Sequence, residues 1–272
     1  MNRRVEPELL DTLPADDPGA VGSRRDLQRL NEWMGHGQIM ARALGSALDG
    51  EARQQLVELG AGDGEFMLRL ARQLSPRWPG VRVTLVDQQE AITRHTRQAL
   101  DALGWRVECV KADVFDWIEQ PREQRCDGQA DSGSGPAAAA HYDQQSAAGP
   151  NWNGPRAEDG SRSGRRPNAV IANLFLHHFD DARLAELLRG IARKAGVFIA
   201  VEPRRSRWSF EFSRQLWAIG CNRVTRHDAP VSVRAGFTGK ELSSLWPADG
   251  NWRLEERPAR WLSHLFVARL KK

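Results

Sequence analysis

The sequence predicts an α/β protein with a doubly wound, mostly parallel sheet of seven strands. Three observations carry that expectation. Short apolar, β-branched runs alternate with segments whose apolar residues recur every three or four positions, the order of a parallel sheet with helices on both faces. The first of these runs turns into a glycine cluster, Gly60, Gly62 and Gly64. Later runs close on Asp87, Asp113 and Asn173. Polar residues at successive strand ends line the carboxyl edge of a sheet, where open α/β folds bind ligands.

Taken in order, the first 22 residues carry Pro7, Pro14 and Pro18 with an acidic cluster and read as a flexible tail. Ser23 is a candidate cap for a helix bearing Leu27, Leu30, Trp33 and Met34 on one face, and a second helix follows over Gln38–Leu48. Together residues 23–50 make an N-terminal helical lid, and 51–272 make the main domain. Strands are expected at Gln55–Leu59, Val81–Val86, Arg106–Lys111, Ala169–Leu174 and Val197–Val201. The intervening helices are Glu65–Leu74, a segment with Ile92, Ala99 and Leu103 on its inner side, and Asp181–Lys194. Arg207–Ile219 is expected to be helical, and Trp252–Arg257 with Leu262–Leu270 to form an antiparallel pair that completes the sheet. Residues 120–167 break the pattern with SGSGP, AAAA and SRSGRRP. Such a segment buries too little apolar surface to offset its ordering entropy, so a disordered insertion in one domain is expected. A linker between two domains is the competing reading, but it would leave a three-strand half-sheet with an exposed edge.

The chain has 272 residues, 40% of them apolar and 27% charged, an ordinary globular balance. Its longest uncharged apolar run, around Ala169–Phe179, is far short of the ~20 residues that span a bilayer. The acidic, proline-bearing N-terminus lacks the apolar stretch of a signal peptide. Cys109, Cys126 and Cys221 are too scattered for a cysteine zinc site or a disulfide framework. No metal is expected, and a reducing cytoplasm fits best. Of the 39 basic residues only five are lysines, and acids interleave with bases almost everywhere. A nucleic-acid face would cluster its basic residues, so nucleic acid is a disfavoured partner. Oligomeric state is left open.

The most specific motif is Val57-Glu58-Leu59-Gly60-Ala61-Gly62-Asp63-Gly64. A dinucleotide fingerprint would place its third glycine at position 65, which is Glu65. A P-loop would need G-K-[ST], which is not present here. The segment resembles the first motif, E/D-x-G-x-G-x-G, of the class I S-adenosylmethionine-dependent methyltransferases, and a Rossmann-like methyltransferase fold is what the resemblance implies. It also implies that S-adenosylmethionine is the cofactor, gripped by Glu58, Gly60, Ala61, Gly62 and Asp63. Asp87 with the adjoining Gln88 falls where the family binds the ribose hydroxyls, Asp113-Val114 where it recognises adenine, and Asn173 near the methionine end. Asp87 and Asp113 could instead be helix N-caps, where Asp is favoured.

Leu176-His177-His178-Phe179 after strand four is similar to the small-molecule methyltransferases acting on quinone precursors, phenols and polyketides, and no [DN]-P-P-[FYW] amine-methylation motif is present. The stretch Arg226–Thr238 looks like the segment that walls their acceptor pocket. The expected function is therefore methylation, on oxygen or carbon, of a small aromatic or polyketide-like acceptor. A protein or RNA methyltransferase and a nonenzymatic cofactor-binding regulator are the alternatives. A phenol needs its proton removed, and a histidine near its ordinary pKa of ~6.5 is a natural base. His227 is the first candidate, then His178 and His177; adjacent histidines on a turn are expected to point apart, and a purely structural role has equal weight. Glu202 could orient substrate or cap the next helix, and Arg234 could orient an acidic substrate. Trp33, with Trp208 and Trp217, could stack on an aromatic acceptor or belong to the core.

Overall fold

A computed structural model describes residues 1–48, 54–120 and 168–271. The chain opens with one turn, α1 (Leu9–Thr12), and two helices, α2 (Pro18–Met34) and α3 (His36–Leu48). Next come β1 (Gln55–Leu59), α4 (Glu65–Leu74), β2 (Arg82–Asp87), α5 (Arg94–Ala102), β3 (Arg106–Lys111) and α6 (Val114–Glu119). The remainder is β4 (Ala169–Asn173), α7 (Asp181–Lys194), β5 (Val197–Pro203), α8 (Arg207–Arg214), α9 (Arg223–Ala235), α10 (Glu241–Leu245), β6 (Trp252–Ala259) and β7 (Ser263–Leu270).

The seven strands form one sheet in the order β3-β2-β1-β4-β5-β7-β6. The first five run parallel, while β7 lies antiparallel to β5 and β6 antiparallel to β7. β3 and β4, on either side of residues 121–167, thus belong to the same sheet. The strand order reverses between β1 and β4, and a crevice opens beyond their carboxyl ends at such a switch point.

Alternation along the strands divides the core, because successive side chains face opposite sides. Leu56, Leu85, Ile171 and Ile199 pack with Met40, Leu44, Leu68 and Leu70 of α3 and α4 on one side. Val57, Val86, Val170 and Phe198 pack with Leu184, Leu187 and Ile191 of α7 on the other. Both clusters are at most a few per cent exposed, which makes burial of these apolar side chains the main stabilising force. Among the described residues no helix is long and apolar enough to cross a membrane.

Two expectations change. Residues 1–22 are not a loose tail. Asp17 rather than Ser23 caps α2, accepting from the Gly19 and Ala20 N–H groups, with Pro18 at the first helical position. Ahead of it, buried Asp228 of α9 accepts the Leu9 and Leu10 N–H groups at 2.8 and 3.0 Å, and Arg3 donates to the Ala235 and Phe179 carbonyls. The segment is fixed by polar bonds, so its low apolar content gave no sign of order. Second, the helix expected over 207–219 stops at Arg214 and continues as a short 3₁₀ turn, Leu216–Ile219. The stretch Arg226–Thr238, given no conformation from the sequence, falls mostly in a helix, α9, containing Pro230. The expected insertion lies, from residue 121 to 167, outside the described residues.

Candidate functional site

A cavity of about 470 Å³ sits over the carboxyl ends of the central strands. That volume suits a small-molecule site. The glycine loop forms one end. Gly60, Gly62 and Gly64 all have positive φ, at 68°, 55° and 75°. The Gly60 and Ala61 N–H groups donate to the Val86 carbonyl, tying the loop to β2. Glycine is required at position 60, where a Cβ would lie 2.3 Å from the Phe175 ring. Gly62 donates its N–H to Asp87 Oδ2 at 2.8 Å, and Gln89 N–H donates to Oδ1 at 2.8 Å. Asp87 is therefore not a helix cap; Thr93 caps α5. A carboxylate has about four acceptor sites, so Asp87 keeps two free on the cavity.

Glu58 is buried on β1, and its Oε2 has no hydrogen-bond partner among the described residues. Burial, with Asp63 and Asp87 nearby, pushes its carboxyl well above the usual range and favours the neutral acid. Asp63 Oδ2 accepts from Gln28 Nε2 of α2 at 2.6 Å, which draws the N-terminal helix over the loop. Gln88 lines the cavity and donates to Asp113 at 2.7 Å. Asp113 itself caps α6, accepting from Phe115 N–H, while its neighbours Ala112 and Val114 line the cavity. At Asp113 the capping alternative describes the side chain.

Asn173 ends β4 and lines the cavity, its Oδ1 2.8 Å from His36 Nδ1. His36 is fully buried, with Nε2 2.8 Å from the Ser263 hydroxyl. Burial lowers its pKa to about 4, the Asn173 bond only partly offsetting that. His36 gave no signal in the sequence, since a lone histidine beside glycines reads as a turn.

The other end holds His177 and His178, on a 3₁₀ turn, Leu176–His178. Contrary to expectation the two rings face the same way, with centroids 4.2 Å apart and planes 32° apart. Glu202, fully buried, builds this turn. Its Oε1 accepts from the Phe175 and Leu176 N–H groups at 3.0 and 2.9 Å, and its Oε2 lies 2.8 Å from His177 Nδ1. It neither caps α8, which Ser206 does, nor lines the cavity. His178 Nδ1 lies 3.0 Å from the Phe175 carbonyl. Between the two outer ring nitrogens sits Glu8, also buried. Nothing in the local sequence marked Glu8, because its partners lie far along the chain.

The charges in this cluster hold one another. Burial opposes ionisation of Glu8, yet the two imidazoles beside it hold its carboxyl well below the usual range. Burial opposes protonation of His178 too, but Glu8 and then Asp11 raise it to about 10. Against burial and the charge of His178, Glu202 and Glu8 raise His177 as well. Two carboxylates facing two imidazoles stabilise positive charge, which disfavours the free base expected near neutral pH.

Besides Glu202 and Asp113, three more sequence candidates lie outside the cavity lining. His227 sits on α9 with its side chain half exposed, and its Nδ1 is 2.8 Å from Asp228. The face that α9 turns to the cavity is Ala229, Ser232 and Val233. Arg234 pairs with Glu6 at 3.0 Å and lies over the Phe210 ring. Trp33 is 61% exposed and stacks on Phe212, 5.1 Å between centroids; Trp208 and Trp217 are more exposed still. Helix α2 turns Leu27, Leu30, Asn31 and Met34 to the cavity instead.

No family model matches the chain. No curated protein matches it either. Solved structures do resemble it. An O-methyltransferase family protein from Burkholderia thailandensis aligns with 95% of this chain at TM-score 0.55 and 14% identity. The chain spans only 61% of that protein's length. The plantazolicin methyltransferase BpumL in complex with SAH aligns at TM-score 0.54 and 10% identity, over 94% of this chain and 92% of its own. The pyocyanin biosynthetic protein PhzM aligns at TM-score 0.51 and 17% identity, over 94% of this chain and 59% of its own. At these identities the likeness is one of fold: the chain has the Rossmann-like, seven-stranded architecture of methyltransferases.

Proposed function

We propose that this protein is an S-adenosylmethionine-dependent methyltransferase acting on a small aromatic or polyketide-like acceptor, at oxygen or carbon. The observation that carries the reading is the glycine loop with Asp87 and Glu58. Its backbone is bent for close approach to a ligand, Asp87 retains acceptor sites, and Glu58 presents a buried oxygen without a partner. A nucleoside's vicinal hydroxyls answer the first carboxylate, and a cationic or donor group answers the second.

In this reading Glu58, Gly60, Ala61, Gly62 and Asp63 hold the methionine side. Asp87 with Gln88 holds the ribose, Val114 with Asp113 the adenine, and Asn173 the strand end beside the reacting atoms. The bound cofactor supplies an electrophilic methyl group to a nucleophile in line with it. The chain's own contribution is to position that nucleophile and exclude water, which accounts for much of the rate in such displacements. Leu27, Leu30, Met34, Phe212 and Leu216 give the cavity an apolar wall, which favours an apolar acceptor. Phe175 packs on Gly60, so the turn carrying His177 and His178 adjoins the loop; these two histidines and Glu8 are the groups proposed to meet the acceptor's polar end. His227, Arg234 and Trp33 have no part in it.

Calorimetry with S-adenosylmethionine, followed by a screen of phenols and polyketides for products one methylene heavier, tests the reading. Tight binding with no product across the panel would favour a cofactor-binding regulator. Salt-sensitive RNA binding would favour a nucleic-acid substrate.

A further inference from the structure

We propose that Glu8, His177 and His178 bind one divalent transition-metal ion of the zinc type, with Asp11 as the fourth group. The inference goes beyond methyl transfer and does not rest on it.

The tautomers come first. His177 Nδ1 faces a carboxylate, Glu202, at 2.8 Å, and His178 Nδ1 faces a carbonyl, that of Phe175, at 3.0 Å. Both partners only accept, so both Nδ1 atoms carry hydrogen. In the neutral ring, the form that binds a metal once the ion displaces the proton, Nε2 then bears the lone pair, and both Nε2 atoms face the same carboxylate. Metal-binding histidines are oriented in this manner, the far ring N–H held by a carboxylate or a backbone carbonyl.

The spacing comes second. The ligand atoms of Glu8, His177 and His178 all lie within 4.8 Å of one another. His177 Nε2 is 3.3 Å from Glu8 Oε1, and His178 Nε2 is 3.6 Å from Glu8 Oε2 and 3.5 Å from Asp11 Oδ2. Charge-assisted N–H···O bonds close to about 2.7–2.9 Å. Donors around a tetrahedral ion with bonds of about 2.0–2.2 Å stand about 3.3–3.6 Å apart. The distances fit ligands sharing an ion better than they fit hydrogen bonds.

The donor set and its support come third. Two imidazoles and a carboxylate suit zinc and its first-row neighbours rather than magnesium or calcium. Glu8 is anchored by the Ser232 hydroxyl at 2.5 Å, and its segment by Asp228. All four groups line the cavity, so an ion there would face the acceptor end.

The test is cobalt(II) titration of the full, untagged chain after removal of metals by chelator. One equivalent should give the visible d–d band of a four- or five-coordinate site, and zinc should displace it. Glu8→Gln and His178→Asn should each abolish the band, while Asp87→Asn keeps it. Glu202→Gln should weaken affinity about 10–100-fold by loosening His177. Thermal melts check that each variant folds; if Glu8→Gln does not, His178→Asn and Asp11→Asn carry the comparison. No band in the wild type, or a band untouched by the folded variants, overturns the proposal and leaves protons as the charge between these groups.

Discussion

The two ends of the cavity are built on opposite principles. At the glycine end the donors are mostly backbone N–H groups on a bent loop, and a buried carboxyl, Glu58, has an oxygen unpaired among the described residues. At the histidine end every group is a side chain already facing another: Glu202 to His177, His177 and His178 to Glu8, His178 to Asp11. One end has a buried oxygen left over among the described residues; at the other the side chains already face one another. A ligand entering the first gains bonds that were missing, while one entering the second competes with contacts in place. Affinity should therefore be concentrated at the glycine end, and discrimination between acceptors at the histidine end.

That contrast can be broken at several points. The largest effect is expected from Glu202→Ala, which strips the histidine turn of its buried carboxylate. Losing one partner of a buried ion pair costs about 3–5 kcal/mol, so urea unfolding should show a loss of that size. A loss under 1 kcal/mol would mean the turn is held by packing.

Next is His36, buried between Asn173 and Ser263. Its pKa falls from 6.5 unfolded to about 4 folded. Below pH 6.5 the unfolded chain takes up a proton that the folded chain refuses until about pH 4. Its contribution is thus fully present above pH 6.5 and lost as pH falls through that window, by about 3 kcal/mol. Stability followed from pH 7 to 4 in wild type and His36→Gln should diverge by that amount; parallel curves would place His36 in a wetter setting.

Asp87→Ala tests the glycine end. Losing a charge-assisted bond to a ligand hydroxyl should cost about 1.5–3 kcal/mol, or roughly 10–150-fold in S-adenosylmethionine affinity by calorimetry. Unchanged affinity in a folded variant removes Asp87 from the site. The smallest effect is expected from His227→Gln. On its half-exposed surface the change should stay within about 0.5 kcal/mol in a thermal melt, and turnover on an identified acceptor should match wild type.

Legibility in the sequence follows the same division. The strands could be read because Leu56-Val57, Val170-Ile171 and Phe198-Ile199 each send one apolar residue to either face, a signal contained in a few neighbouring residues. The glycine loop is equally local: its motif lies within a few neighbouring residues, and its three glycines all take positive φ. The histidine end is not local. Glu8 meets residues beyond β4, and the segment bearing it is tied to α9 by Asp228, Arg3 and Arg234, polar contacts that hydrophobic periodicity does not register. Trp33 misled for a related reason. It shares the helical periodicity of Leu27 and Leu30, but it falls at the rim of α2, where stacking on Phe212 takes the place of burial.

The position of Glu8 has a consequence for how such a protein could diversify. Helix α1 buries none of its residues, and the segment adds nothing to the two core clusters. Yet it delivers one acid, and a neighbouring one in Asp11, to the histidine end of the cavity. Substitutions at the exposed positions beside Glu8 would leave both core clusters untouched while changing the chemistry presented to the cavity. A lineage could rewrite which molecules it modifies by editing its first dozen residues, while the sheet and the glycine loop stayed under their own separate constraints.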